Sequence, residues 1–261
     1  MTTKPFDWYD GALLETPGPG RVLLTSRRYP VFYLQILKCG CTFMRNLIWY
    51  LDHDALHPAG NRIHAHDDEF LKAALIPAPM LQRPPGLFSI VRDPLDRFLS
   101  LYWDKLANPD NDRDAGMRAR VTSASGMVQA EDIAGHRANC LKALDWIGRN
   151  LDTKSEGKPN PHWQRQSVRL KQVQALAPKL LTLDGLSWQL PAHLAPVIPD
   201  IADKMAAVRV RNRSVRPFTR DQIVTPAIEA AAERVYALDY ATYRQARDDW
   251  GPGPTKTPQQ G

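Results

Sequence analysis

Lys38-Cys39-Gly40-Cys41-Thr42 lies between two contrasting patterns. Before it, Val31 to Leu37 is a nearly continuous apolar run, as expected of a strand buried on both faces. After it, Met44, Leu47, Ile48 and Leu51 recur at helical spacing. The five residues are therefore a strand-to-helix turn. A helix N-terminus presents backbone N–H groups that have no helical acceptor, and it favours an anion. Gly40 lets a ligand approach the backbone, Lys38 adds a mobile positive charge, and the Thr42 hydroxyl adds a donor. Such a turn can cradle a phosphate-type group. It is not the ATP/GTP loop G-x-x-x-x-G-K-[ST], because here the lysine precedes the glycine. The same residues also read as an ordinary strand–helix turn with a solvated lysine.

A second turn repeats the arrangement. Leu87 to Val91 is apolar, follows the breaker Pro84-Pro85-Gly86, and runs into Arg92-Asp93-Pro94. Asp93 is a good N-cap and Pro94 a good first helical residue. Leu95, Phe98, Leu99, Tyr102 and Leu106 then share one helical face. Arg92 at the strand end matches a phosphate with a rigid fork of donors, and Ser100 follows in the second helical turn. Alone, this segment also reads as a capped helix start with a surface arginine, and Arg97 could simply pair with Asp93.

Two candidate bases, His64 and His66, lie between the two turns. His64 directly follows Ile63 and is the first choice, His66 the second, and His162 beside Trp163 an alternative. Both His64 and His66 also read as solvated loop residues next to Asp67, Asp68 and Glu69. His-x-His can begin a metal site, but the local sequence offers no evident third ligand. Cys39 and Cys41 flank Gly40 at a helix start, which tends to lower a thiol pKa; small buried residues are the alternative reading. Arg209, Arg211, Arg213, Arg216 and Arg220 cluster with no acid among them. They read either as a solvated basic loop or as a rim for an anion.

These turns need a scaffold of alternating strands and helices. Beyond the two strands, Lys179 to Leu183 is a third strand candidate, and helices are expected at about 136–151, 197–207 and 226–248. Residues 108–135 read as polar and irregular. Alternation of this kind predicts an α/β fold with a mainly parallel central sheet flanked by helices, and ligands beyond the strands' carboxyl ends. A Pro/Gly-punctuated arm (1–28), one domain (29–250) and a flexible tail (251–261) are expected.

The chain has 261 residues, 43% hydrophobic and 24% charged, which excludes a disordered chain and allows a sizeable core. No apolar run approaches a membrane span and no signal peptide is evident. With only three cysteines, a reducing, cytoplasmic setting is expected. The net charge of +6 points to an anionic partner, and it is concentrated locally. Lys38 and Arg45 in residues 31–50, with the five arginines in 207–220, carry seven positive charges with no acid, so the remainder nets −1. That distribution favours a small polyanion over a nucleic-acid track, and no nucleic-acid module is present.

Together the turns resemble a known family. Tyr33–Arg45 (YLQILKCGCTFMR) resembles the 5′-phosphosulfate loop of sulfotransferases. Phe88–Tyr102 (FSIVRDPLDRFLSLY) resembles their 3′-phosphate motif, R-D-P-x-x-R-x-x-S-x-Y, with every position present. Asn160–Gln166 (NPHWQRQ) is similar to the H-W-x-P-Q segment of the carbohydrate sulfotransferases related to the HNK-1 and chondroitin enzymes. Arg211–Ser214 and Val235–Tyr243 resemble their C-terminal Asn segment and Y-x-x-D-Y helix. The resemblance spans roughly residues 30–245. It departs at Leu37 and Arg165, where the family has proline, and in lacking the cysteines and membrane anchor of the secreted relatives.

The resemblance implies a P-loop-like three-layer fold. It also implies 3′-phosphoadenosine 5′-phosphosulfate (PAPS) as donor, with transfer to a hydroxyl or amine of an acceptor, by similarity a carbohydrate. Lys38 would act on the leaving phosphate. Cys39, Gly40, Cys41 and Thr42 would hold the 5′-phosphate with help from Arg45, and Arg92 and Ser100 the 3′-phosphate. Asn212 and Arg213 would close over the nucleotide. No metal is demanded. Rival readings are a small-molecule kinase and a non-catalytic nucleotide-binding module. Neither the particular acceptor nor the oligomeric state is legible.

Overall fold

The computed structural model describes residues 6–151, 160–208 and 216–254. Its strands are β1 (Leu23–Thr25), β2 (Phe32–Leu34), β3 (Leu87–Val91) and β4 (Lys179–Thr182). The helices are α1 (Cys41–His53), α2 (Ala78–Leu81), α3 (Pro94–Leu101), α4 (Ala115–Ser125), α5 (Ile133–Asn150), α6 (Gln166–Leu170), α7 (Leu186–Leu194), α8 (Ile201–Ala207), α9 (Arg220–Ile223) and α10 (Pro226–Asp248). The chain divides into two compact units, 1–91 with 169–212 and 244–261, and 92–168 with 213–243. No helix among the described residues is long and apolar enough to cross a membrane.

The first unit holds the sheet, in the order β1-β2-β3-β4. β2, β3 and β4 are parallel, and β1 runs antiparallel to β2. The expected mixed α/β class with a mainly parallel, helix-flanked sheet is therefore present. All five residues of β3 are buried, which is why its sequence lacks polar alternation. Its one polar side chain, Ser89, is satisfied by donating to Leu34 O at 2.9 Å. Residues 6–28 are more than an arm: they supply β1, and Phe6 and Leu23 enter the core beside Phe32 and Ile76. β2 is shorter than the apolar run 31–37, because the chain turns at 37–40. β4 is the far edge strand. Trp250 covers it, donating to Leu180 O at 2.7 Å, which blunts an edge open to pairing.

One half-buried histidine makes this unit acid-sensitive. His193 packs edge-on against Phe88, and its Nε2 is buried with no partner among the described residues. Burial pushes its pKa down to about 4 from the ordinary 6.5. Above pH 6.5 both folded and unfolded states are neutral. Below it the unfolded chain takes up a proton that the folded chain refuses until about pH 4, so stability falls across that window. The expected loss at pH 5 relative to pH 7 is about 2 kcal/mol. Urea unfolding at both pH values checks this, and His193→Gln should abolish most of the difference.

The second unit is helical. Asp93 caps α3 by accepting from Asp96 N at 3.0 Å, with Pro94 in the first turn, as the sequence predicts. The apolar face of α3 continues through a π-helical turn, Tyr102–Leu106. It packs into a core that includes Leu144, Ile147, Trp163 and Tyr236. Residues 108–135 are not irregular throughout, since α4 lies within them. Only Val121 of α4 is buried, so the helix carries no apolar stripe from which it could be read.

Candidate active site

In the first unit β2 leads into the turn and α1 leaves it. Lys38 (φ 68°) and Gly40 (φ 77°) both adopt left-handed backbone. Gly40 is required twice over, by this conformation and because a Cβ there would lie 2.9 Å from Leu183 Cδ1. Lys38 has no such excuse, and strain of this kind gathers at functional sites. Met44 N returns to Gly40 O at 3.0 Å, the first main-chain bond of α1, so the N–H groups of residues 41–43 lie in a first turn that has no preceding helical acceptor.

The structure brings His64 to this turn. Its Nε2 lies 3.1 Å from Thr42 Oγ1 and 3.5 Å from Cys41 Sγ. Asn46 fastens the two segments by donating to Thr42 O at 2.9 Å and Gly60 O at 3.2 Å. Cys39 and Cys41 are buried free thiols. The Cys41 thiol is not lowered, as its place at a helix start suggested; burial raises it and outweighs the nearby Lys38 backbone. Arg45 is buried within α1. Its Nε donates to Gln35 Oε1 at 2.7 Å, its Nη2 to Asp67, and its guanidinium covers the Phe70 ring. Hydrogen bonding from Arg45 holds the Asp67 carboxyl below its usual range. Arg45 Nη1 is buried without a partner among the described residues. A donor-rich turn beside an orphaned guanidinium N–H fits an anion.

His66 sits in a different cluster. Its Nδ1 is 2.6 Å from Glu69 Oε1, and the Nε2 of buried His57 is 3.1 Å from Glu69 Oε2. The three ligand atoms lie within 4.8 Å of one another, so His66 has companions that sequence spacing did not reveal. Their chemistry is that of a hydrogen-bonded set. Ala59 N–H donates to His57 Nδ1 at 3.0 Å, which leaves the proton on Nε2, aimed at Glu69. A metal at Nε2 would have to displace that proton while Nδ1 still faces a donor.

In the second unit Arg92 is held by its backbone. Gln166 Oε1 accepts from Arg92 N and Gln166 Nε2 donates to Arg92 O, both at 2.9 Å. Gln166 is fixed in turn by Asp239, which accepts from Gln166 N at 2.7 Å and Ser167 N at 2.9 Å. Gln166 and Asp239 are almost fully buried. Sequence reading placed both in motif-like segments without giving either a role. Their relation spans more than seventy residues and leaves no local signal. Ser100 is buried on α3. His162 Nδ1 lies 2.8 Å from Asn160 Oδ1. Of the arginine cluster, Arg220 pairs with Asp96 at 3.0 Å and Arg216 is exposed. Asn212 and Arg213 lie outside the described residues.

A family model described as Sulfotransferase family matches residues 21–181, which include both turns, His64 and Gln166. The chain belongs to that family. No curated protein and no solved structure matches it.

Proposed function

We propose that this chain transfers the sulfuryl group of PAPS to a hydroxyl or amine, on a P-loop-like nucleotide fold. The observation that carries this reading is the contact of His64 Nε2 with Thr42 Oγ1, which joins a candidate base to an anion-accepting helix start. PAPS, when bound, supplies a sulfuryl group already attached to a phosphate leaving group. Lys38 neutralises charge developing on the leaving oxygen. The N–H groups at 40–42 and the Thr42 hydroxyl hold the 5′-phosphate. Arg92 and Ser100 hold the 3′-phosphate, Arg92 with its peptide clamped by Gln166. Before the phosphate arrives the Thr42 hydroxyl donates to His64 Nε2; when it turns to the phosphate, the Nε2 lone pair is released to take a proton from an acceptor.

The resemblance to the carbohydrate sulfotransferases related to the HNK-1 and chondroitin enzymes favours a carbohydrate or glycoconjugate acceptor. Three free, buried thiols favour a reducing compartment, the cytoplasm.

Label transfer from radiolabelled PAPS, screened across acceptor classes with Lys38→Ala as the blank, tests the activity. Magnesium-dependent ATP turnover without label transfer would support a kinase instead. Once an acceptor is found, His64→Ala should lower turnover about 10²-fold or more and remove the acidic limb of the pH–rate profile. His66→Ala, which acts on the Glu69 cluster, should stay within about threefold of wild type. The reverse order would move the base to His66.

A further inference from the structure

The second unit contains a cavity of about 690 Å³, within the size range of small-molecule sites. We propose that it binds a neutral, mainly apolar small molecule carrying one hydroxyl or carbonyl oxygen, at a site separate from the nucleotide. Leu106, Ala115, Ala119, Met127 and Val128 supply much of the wall. Val128 is 60% exposed despite its apolar side chain, as expected at the rim of a site that an apolar ligand covers.

Charge decides the ligand class. Arg118 is the one lysine, arginine or carboxylate side chain on the lining. Three of its five N–H donors are held at the rim by the carbonyls of Asn108 at 2.7 Å and of Pro109 and Asn111 at 3.1 Å. No lining carboxylate could pair with a cation, an anion would have to share a guanidinium already held by three carbonyls, and burying a poorly paired charge is costly. Burial also holds His136 below its ordinary pKa and so favours the neutral ring.

The polar anchor follows from hydrogen-bond accounting. Asn139 secures the 127–130 wall, accepting from Val128 N at 3.1 Å and donating to Val128 O at 2.7 Å. The Tyr102 phenol lies 2.8 Å from His136 Nδ1 and, as the more acidic donor beside a neutral imidazole, donates its hydrogen bond to it. The His136 tautomer is thereby Nε2–H. That donor calls for a ligand oxygen. Trp103 and Phe218 pack edge-on against the imidazole and keep it in place.

The test uses the full chain and the neutral fluorophore N-phenyl-1-naphthylamine. Saturable binding is expected, with displacement by 1-decanol at least about tenfold better than by decanoate or decylammonium. Adenosine 3′,5′-bisphosphate should not displace the probe. Ala119→Trp and, separately, Thr122→Trp should each weaken probe binding by at least about tenfold with the circular dichroism unchanged. His136→Phe should leave probe binding within about threefold and weaken decanol by about tenfold. Absent probe binding, equal displacement by the charged analogues, displacement by the bisphosphate, or indifference to both tryptophan variants would each overturn the proposal.

Discussion

Lys38→Ala is expected to lower sulfuryl transfer by about 10²–10³-fold while changing the affinity for adenosine 3′,5′-bisphosphate by less than about tenfold. The asymmetry follows from where its charge is needed. The backbone donors of the α1 start serve a phosphate equally before and after transfer. Charge on the leaving oxygen grows during transfer, and a cation aimed at it lowers the barrier more than it tightens binding. The backbone adds a second test. Lys38 sits at φ 68°, a conformation that costs a non-glycine residue about 1–2 kcal/mol. Lys38→Gly relieves that strain and gives back part of the gain through the greater freedom of the unfolded chain. Stability should therefore hold or rise by about 1 kcal/mol while turnover collapses. If Lys38→Ala keeps a third of the activity, or Lys38→Gly destabilises, the lysine is not held there for chemistry.

Asp239→Ala should destabilise the protein by about 2–5 kcal/mol, because it strands one buried and one partly buried N–H group from which the carboxylate now accepts. The lost carboxylate also frees Gln166, and with it the Arg92 peptide. Affinity for adenosine 3′,5′-bisphosphate should fall well beyond any change in affinity for adenosine 5′-phosphate, since in the proposed site only the former presents a phosphate to Arg92. Asp239→Asn is not a rescue. Its amide keeps one acceptor but turns an NH₂ towards the second backbone donor. Urea unfolding and paired titrations with the two nucleotides measure both effects. A stability loss below about 0.5 kcal/mol would show that the clamp does not matter.

Features set by local pattern were legible in the sequence. The burial of β3 follows from five residues without polar alternation, and the start of α3 from Asp93-Pro94. The Lys38–Thr42 turn is readable because a buried strand, a glycine and a helical stripe meet there. Other features had little local signal. β1 is three residues long inside a Pro/Gly-rich segment, and α4 has one buried side chain. At the site, sequence ranked His64 before His66 only because His64 follows an apolar residue, and folding gives them different surroundings. One reaches Thr42, and the other joins Glu69, which His57 also reaches. Likewise the buried Arg45 guanidinium is directed to Gln35 and Asp67, ten and twenty-two residues away, on segments no helical period connects.

The most direct measurement is calorimetric titration of the purified chain with adenosine 3′,5′-bisphosphate beside adenosine 5′-phosphate, repeated with Arg92→Ala. The bisphosphate should bind at least about tenfold tighter than the monophosphate, and Arg92→Ala should erase most of that advantage. Equal affinities in the wild-type protein would contradict the donor assignment.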